Sequence, residues 1–256
     1  MLLATWNVNS LTARLPRVLE FLELHHPDVL CLQETKVKPE AFPHETLRAA
    51  GYAAVDHSGG RWAGVAVLAP VDSPLAERTA GLPGEVAAEE ARWVEAKVGD
   101  LHVVSVYVVN GRTLDSPSYD DKLVFLDAMA ARLEELKGRP LYVAGDFNVA
   151  PQDVDVWNPR LFVGTTHTSE PERERLTRIV DTGLVDAFRH LEPAGPGYTY
   201  WDYRAGMFHK NEGMRIDLAL VSPELAQRAR RCGIDRNFRK GLKPSDHAPL
   251  LLELAD

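Results

Sequence analysis

The chain has 256 residues, of which 45% are hydrophobic and 26% are charged, and its formal net charge is −8. These values exclude a disordered or fibrous protein and leave room for a large hydrophobic core. The negative charge disfavours a protein that coats nucleic acid, but a divalent-cation site also needs carboxylates, so an enzyme that acts on DNA is not excluded.

The N-terminal segment and the cysteines indicate a cellular compartment. The segment MLLATWNVNS has neither a basic region nor a long apolar region, so no secretory signal is predicted. No apolar run is long enough to span a membrane. Cys31 and Cys232 form neither a disulfide framework nor a metal-ligand spacing. We therefore expect a cytoplasmic protein that does not bind a membrane.

Short apolar, β-branched segments recur along the chain and predict strands. In chain order they are LLATW, DVLCLQ, GVAVLA, WVEAKV, LHVVSVYVV, LYVAGD, RIDLALV and APLLLEL. Three segments with apolar residues at spacings of three and four predict helices: RLPRVLEFLELHH, YDDKLVFLDAMAARLEELKG and PERERLTRIVDTG. Several predicted strands do not alternate cleanly between apolar and polar residues, which is typical of a sheet covered on both faces. The fold class is therefore α/β or α+β, and no linker divides residues 1–256 into two domains.

Three long loops and one basic stretch are candidates for function. The loops at 110–118, 150–171 and 190–213 are polar and rich in Pro, Gly and aromatic residues, and long loops in compact domains are usually functional. The stretch 228–243 has one acidic residue, Asp235, and seven basic residues: Arg228, Arg230, Arg231, Arg236, Arg239, Lys240 and Lys243. It is compatible with phosphate binding, and equally with a solvated helix face and loop.

Polar side chains occur repeatedly where an apolar segment ends, in TWNVNS, LQETK, VYVVNG and VAGDFN. Groups at the ends of buried strands are held rigidly at the edge of a sheet, where catalytic residues are commonly placed. In addition, Asp217 lies inside an apolar segment, and Asp246 and His247 precede the last one. Each residue alone has an ordinary structural explanation, such as a turn or a hydrogen-bonded core histidine. Their coincidence indicates one site.

The residue types in this set indicate hydrolysis assisted by a hard divalent cation. Glu34 is the best ligand candidate, because Mg²⁺ prefers oxygen ligands. A buried Asp217 needs a partner, and a carboxylate behind His247 would fix its tautomer and sustain its positive charge. Asp146, with Asn148 two residues later, could activate and orient a water. The sequence has no zinc-ligand pattern, nucleophilic-serine motif or glycine-rich phosphate loop, which disfavours zinc hydrolases, acyl hydrolases and nucleoside triphosphatases.

The ordered motifs resemble those of exonuclease III-type abasic-site endonucleases in the endonuclease/exonuclease/phosphatase superfamily. The matching blocks are TWNVNSL, LQETK, SVYVVNG, GDFNVAPQDVDVW, YTYWDYRAGMFHKNEGMRIDLAL and KPSDHAPL, and they extend from the first residues to about residue 253. The resemblance implies a four-layer α/β sandwich in which two packed, mixed β-sheets are flanked by helices, with the active site at one edge.

The resemblance also implies roles for individual residues. The implied catalytic residues are Tyr107, Asp146, Asn148, Asp217 and His247. Residues that bind the metal or lie beside it would be Asn7, Glu34, Asp146, Asn148, Asp246 and His247. In this scheme Asp146 activates the attacking water, Tyr107 contacts the scissile phosphate or assists the leaving group, and Asn148 orients the water or the phosphate. His247 pairs with Asp217 and contacts phosphate oxygens.

The implied reaction is in-line displacement at phosphorus that leaves a 5′-phosphate and a 3′-hydroxyl, with Mg²⁺, or alternatively Mn²⁺, as the ion. Its substrates would be abasic sites in duplex DNA and 3′ ends, which would be degraded in the 3′-to-5′ direction by a monomer. Residues expected to bind DNA are Arg112, Tyr200, Trp201, Met214, Ile216, Arg239 and Lys240. Tyr200, Trp201, Met214 and Ile216 would form the apolar walls of an abasic-site pocket.

Two alternatives are open from the sequence. One is another phosphodiesterase of the same superfamily, acting on sphingolipid, inositol phosphate or RNA, because these enzymes share the core motifs. The segments 196–214 and 228–243 favour duplex DNA over those substrates. The other alternative is a catalytically inactive DNA-binding module, which the presence of Glu34, Asp146 and His247 disfavours.

Overall fold

The structure, a computed structural model, describes residues 1–87 and 89–255, without the side chains of residues 77 and 78. The strands among these residues are β1 (Leu2–Asn7), β2 (Val29–Gln33), β3 (Tyr52–His57), β4 (Val65–Pro70), β5 (Leu75–Ala80), β6 (Trp93–Val98), β7 (Leu101–Tyr107), β8 (Leu141–Asp146), β9 (Val185–Asp186), β10 (Asp217–Val221), β11 (Ala229–Ile234) and β12 (Leu250–Leu254).

The helices are α1 (Leu11–His25), α2 (His44–Ala49), α3 (Pro117–Glu135), α4 (Glu170–Asp181), α5 (Ala187–Leu191), α6 (Met207–Lys210) and α7 (Pro223–Arg228). Single 3₁₀ turns occur at Pro39–Ala41, Asp153–Asp155, Pro159–Phe162, Arg204–Gly206 and Arg236–Arg239. The three predicted helices correspond to α1, α3 and α4. Within the described part of the chain, every helix is too short or too polar to cross a membrane.

The strands form two six-stranded sheets with similar organisation. The first has the order β11-β12-β1-β2-β4-β3 and the second the order β5-β6-β7-β8-β10-β9. In each sheet the central pair is parallel, β1 with β2 and β7 with β8, and the other neighbours are antiparallel. Both sheets are therefore mixed, as predicted.

Three hydrophobic cores separate four layers. Leu3, Val67 and Val103 belong to the core between the two sheets. Trp6 points to the opposite face of the first sheet and packs in a second core with α1. A third core joins the second sheet to α3 and α4. Because the side chains of a strand alternate between faces, central strands covered on both sides are mainly apolar on both faces. The predicted sandwich of two sheets flanked by helices is confirmed.

The sequence signal missed four strands: β3, β5, β9 and β11. All four are edge strands of their sheets. Edge strands carry polar side chains on their solvated face, so they lack a continuous apolar run. For β11 the consequence is specific, because part of the basic stretch 228–243 forms a strand rather than a helix face.

Candidate active site

The predicted site residues meet at one edge of the sandwich because of the strand directions. Asn7 ends β1 and Glu34 follows β2, which runs parallel to β1. Asp146 ends β8, and Asp217 begins the antiparallel strand β10 directly opposite it. His247 precedes β12, which is antiparallel to β1. The first sheet thus supplies Asn7, Glu34 and His247, and the second supplies Asp146 and Asp217.

A close approach of β7 and β8 brings Tyr107 beside Asp146. The two residues are register partners in the parallel pair. Gly145 has a φ of +152°, and an added Cβ would lie 1.9 Å from the carbonyl oxygen of Val106. Only glycine allows this contact, so the residue before Asp146 is constrained by the backbone of the neighbouring strand.

Asn7 connects the carboxylates of the two sheets. Its Nδ2 donates to Oε1 of Glu34 at 2.8 Å and to Oδ2 of Asp146 at 2.9 Å. Its Oδ1 accepts from the main-chain N–H of Asn9 at 3.0 Å, which fixes the orientation of the amide. Asn7 therefore positions the two carboxylates in this arrangement and directs its own oxygen away from them.

His247 lies between two aspartates. Its Nδ1 is 2.7 Å from Oδ2 of Asp217, and its Nε2 is 3.8 Å from Oδ2 of Asp146. Burial lowers the pKa of His247, but the charge and hydrogen bond of Asp217, together with Asp146, raise it to about 10. The imidazole is therefore protonated at neutral pH. It can donate from Nε2 to a phosphate oxygen, whereas a protonated ring has no lone pair for a metal.

The other carboxylates have different environments. Burial, with Asp217 and Glu34 nearby, raises the pKa of Asp146 to about 7 against the opposing effect of His247. Burial also raises the pKa of Glu34, but the charge of Lys36 and hydrogen bonds from Lys36 and Asn7 outweigh it and lower the pKa below its usual value. Glu34 is thus ionised at neutral pH, while Asp146 is suited to accept a proton near neutral pH.

Asn148 lies at a turn after β8, with a φ of +50°. Its main-chain N–H donates to Oδ1 of Asp146 at 2.9 Å, and its Nδ2 donates to the carbonyl of Val108 at 2.9 Å. The amide of Asn110 donates to Oδ1 of Asn148 at 3.0 Å.

Burial, together with the charge of Glu34, raises the pKa of Tyr107 well above its usual value, so the phenol remains a proton donor.

Asp246 lies in a second layer of contacts. Its Oδ1 accepts from Nδ2 of Asn9 at 3.0 Å. Lys36 Nζ donates to Oδ1 of Asn9 at 2.6 Å and pairs with Oε2 of Glu34 at 2.6 Å. Asp246 is therefore connected to Glu34 through Asn9 and Lys36.

The donor set fits a hard divalent cation. Among the described residues, ligand atoms of Glu34, Asp146 and His247 lie within 4.8 Å of one another. Oδ1 of Asp217 is buried and has no hydrogen-bond partner among the described residues, so this side of the site has an unsatisfied acceptor. Oxygen atoms of Glu34 and Asp146 would hold the ion, and the protonated His247 would face the phosphate instead.

A cavity of about 620 Å³ opens beside this cluster and is lined by Tyr200, Met214 and His167, among others. The Tyr200 ring lies 4.9 Å from the ring of His247. Ile216 packs behind Met214 in a small buried cluster. Trp201 lies elsewhere, on a separate crevice with Arg236. Of the four predicted wall residues, Tyr200 and Met214 therefore line the cavity directly. Ile216 supports Met214 from behind, and Trp201 does not reach the cavity.

The predicted phosphate-binding residues differ in exposure. Arg112 and Lys240 are exposed. Arg239 is 7% exposed. Its guanidinium packs against the rings of Tyr203 and Phe208 and donates to the carbonyl of Trp201 at 3.0 Å. The stretch 228–243 is therefore not a uniform basic surface.

Several site residues lay outside the sequence prediction. Asn9, Lys36 and Asn110 belong to the same motifs as the predicted residues, and their position beside strand ends was an available signal. His167 contacts Nδ2 of Asn110 at 3.4 Å from a loop without a recognisable motif. Only the folded chain brings it to the site.

Comparison with known proteins gives a consistent result. The profile of the Endonuclease/Exonuclease/phosphatase family matches residues 4–247. Exodeoxyribonuclease III of Haemophilus influenzae is 34% identical, and the alignment covers 97% of this chain and 98% of the relative. A Neisseria 3′ phosphatase, NExo, solved with a product DNA hairpin, has a TM-score of 0.96 at 36% identity over 100% of both chains. An AP endonuclease from Archaeoglobus fulgidus has a TM-score of 0.95 at 33% identity over 99% of both chains.

Proposed function

The chain belongs to the Endonuclease/Exonuclease/phosphatase family, and we propose that it is a DNA repair nuclease that hydrolyses phosphodiesters at 3′ ends and at abasic sites in duplex DNA. A divalent metal ion is required, and we propose Mg²⁺. One observation carries the assignment: ligand atoms of Glu34, Asp146 and His247 lie within 4.8 Å of one another beside an open cavity.

The chain's own residues account for the proton transfers and for phosphate binding. We assign to Asp146 the acceptance of a proton from the attacking water, because burial of its carboxylate raises its pKa to about 7. His247 donates from Nε2 to a non-bridging phosphate oxygen while Asp217 keeps the ring charged. Tyr107 is a protonated phenol next to Asp146 and can donate to the phosphate. A bound divalent ion supplies Lewis-acid stabilisation of the charge that develops on the phosphate oxygens.

The names of the relatives support two kinds of substrate. One relative is an exodeoxyribonuclease and another a 3′ phosphatase, which supports action at 3′ ends. A third is an AP endonuclease. The cavity beside His247 has apolar walls from Met214 and Tyr200 that an extruded abasic sugar could contact. We also propose that the enzyme acts as a monomer in the cytoplasm.

The test compares three labelled duplexes, carrying a plain 3′ end, a 3′-phosphate or an internal abasic site, with Mg²⁺ and with excess chelator. We expect cleavage of all three with Mg²⁺ and none in chelator. Asp146→Asn should lower single-turnover rates by about 10²- to 10⁴-fold and leave duplex affinity in chelator nearly unchanged.

Asp127→Asn is the matched control, since Asp127 pairs with Arg175 and Arg178 on the surface, and it should cleave normally. Full cleavage in chelator would refute the metal-dependent mechanism. Cleavage of 3′ ends without any cutting at the abasic site would restrict the proposal to terminal substrates.

A further inference from the structure

A buried ion pair lies behind the two loops that carry Asn110 and Asn148. Its members are Lys122 of α3 and Glu172 of α4, and both side chains are 0% exposed. Lys122 Nζ donates directly to Oε1 of Glu172. Neither residue faces the cavity, so neither can touch the substrate.

Lys122 binds the main chain of both site loops. Its Nζ donates to the carbonyl of Asn148 at 2.6 Å and lies 3.4 Å from the carbonyl of Asn110. The same two residues reach the site on their other side, since the Asn148 N–H donates to Asp146 and the Asn110 amide donates to Asn148. The ammonium group therefore fixes the carbonyl of Asn148, the residue whose N–H donates to Asp146.

Glu172 fixes the adjoining loop. It is the third residue of α4 and forms a capping box with Ser169, accepting from that residue's N–H at 3.0 Å and from its Oγ at 2.5 Å. Its other oxygen accepts from the N–H of His167 at 2.9 Å and from Oγ1 of Thr166 at 2.7 Å. One carboxylate thus holds residues 166–169 and Lys122 together.

A stabilising role alone does not explain this pair. Burying two charges costs desolvation energy, and apolar residues of similar volume are often as stable. An apolar pair would lack donors for the carbonyls of Asn110 and Asn148, and Asn148 has a left-handed backbone that needs support from its surroundings. Gly111 packs closely against the pair, and an added Cβ would lie 2.8 Å from Oγ1 of Thr166 and 3.0 Å from Cδ of Lys122.

We propose that Lys122 and Glu172 are a positioning pair that sets the orientation of Asn148, Asn110 and, through the Asn148 N–H, the carboxylate of Asp146. The inference rests on the proposed nuclease function, because it concerns the same site. It requires that loss of the pair lowers the rate of cleavage far more than the affinity for DNA.

The experiment uses three variants of the full-length protein. Lys122→Met removes the ammonium group. The carboxylate of Glu172 still accepts hydrogen bonds from Thr166, His167 and Ser169, so it keeps hydrogen-bond partners in the variant. Thr166→Val removes a hydroxyl that links both members of the pair, since Oγ1 accepts from Nζ of Lys122 at 3.2 Å and donates to Oε1 of Glu172 at 2.7 Å. Lys137→Met is the matched control, because Lys137 lies two residues after the end of the same helix and forms an exposed pair with Glu134.

Single-turnover cleavage, duplex affinity in chelator and amide hydrogen exchange are measured for each variant. We expect Lys122→Met to lower the rate by about 100-fold, the cost typical of a small misplacement in an active site, with affinity changed by less than about threefold. Exchange of the Asn148 amide should accelerate at least about tenfold relative to that of Val143 in β8. Thr166→Val should lower the rate by roughly three- to tenfold through the loss of the hydrogen bonds of one hydroxyl, and Lys137→Met should match wild type.

A folded Lys122→Met protein with a wild-type rate and unchanged Asn148 exchange would overturn the proposal. If Lys122→Met does not fold, Thr166→Val decides, and a wild-type rate in that variant would overturn it. A wild-type protein that cuts none of the three duplexes would refute the proposed function instead. The exchange measurement would still test the positioning of Asn148 in that case.

Discussion

The pairing of Asp217 with His247 predicts that substitutions of the two residues lower the cleavage rate in a coupled, non-additive way. Asp217 is fully buried, its Oδ2 lies 2.7 Å from Nδ1 of His247, and both side chains are nearly inaccessible. Removing one positioned acid–base group typically costs about 10²- to 10⁴-fold in rate. Two independent groups would therefore cost about 10⁴- to 10⁸-fold together. Two groups acting as one unit would cost about 10²- to 10⁴-fold in any combination.

The assay is a double-mutant cycle on single-turnover cleavage with Asp217→Asn, His247→Ala and the double variant. We expect the rate of the double variant to lie within about tenfold of the rate of the slower single variant. If the two groups acted independently, the double variant would be slower than this by a further factor of at least about 10. Asp235→Asn is the control, because Asp235 pairs with His25 at 3.0 Å outside the site, and it should keep wild-type turnover. Losses that multiply fully across the cycle would refute the pairing as a catalytic unit.

Glu34→Gln should raise the Mg²⁺ concentration for half-maximal cleavage by at least about tenfold, because it removes an anionic ligand, and an unchanged Mg²⁺ titration would remove Glu34 from the ion site. Met214→Ala should lower abasic-site cutting by roughly tenfold and spare 3′-end digestion, and equal losses on both duplexes would argue against the pocket. Lys240→Ala should weaken binding to every duplex equally and reduce the log–log salt slope by about one, whereas Arg239→Ala should mainly lower the melting temperature, because its guanidinium is buried. Burial raises the pKa of Glu95, but hydrogen bonds from three neighbours hold it at about 2. The ionised carboxylate therefore stabilises the folded protein fully above an unfolded-state pKa of about 4, and this contribution is lost as pH falls through 2. Glu95→Gln should therefore destabilise the protein by about 3 kcal/mol at pH 7 and much less at pH 2, and urea titrations showing the same loss at both pH values would contradict this.

The sequence predicted the centre of each sheet and not its edges. Strands such as β1 and β8 are covered on both faces, and their apolar runs are visible in the sequence alone. The edge strands β3, β5, β9 and β11 owe their conformation to pairing with a neighbour, which no local pattern reports. The basic stretch that includes β11 was ambiguous for the same reason.

The site was predicted where function depends on residue type and strand position. Asp146 and Glu34 stand at strand ends, so their convergence could be predicted before the fold was known. Side-chain directions could not be predicted. Trp201 adjoins Tyr200 in the chain but faces a different crevice, because neighbouring residues in extended backbone point to opposite sides. Lys122 and Glu172 are 50 residues apart on two helices, and no sequence pattern connects them.

The division of the site between two sheets has a consequence for how the enzyme comes into being. Glu34 and His247 belong to the first sheet, Asp146 and Asp217 to the second, and Asn7 bridges them only when the sheets are docked. His247 also comes from the C-terminal end of the chain, while its sheet begins at residue 2. A nascent or partly unfolded chain therefore cannot bring these five residues together. We expect a chain whose two sheets are not docked to be inactive as a nuclease, so that a misfolded copy leaves the DNA around it intact.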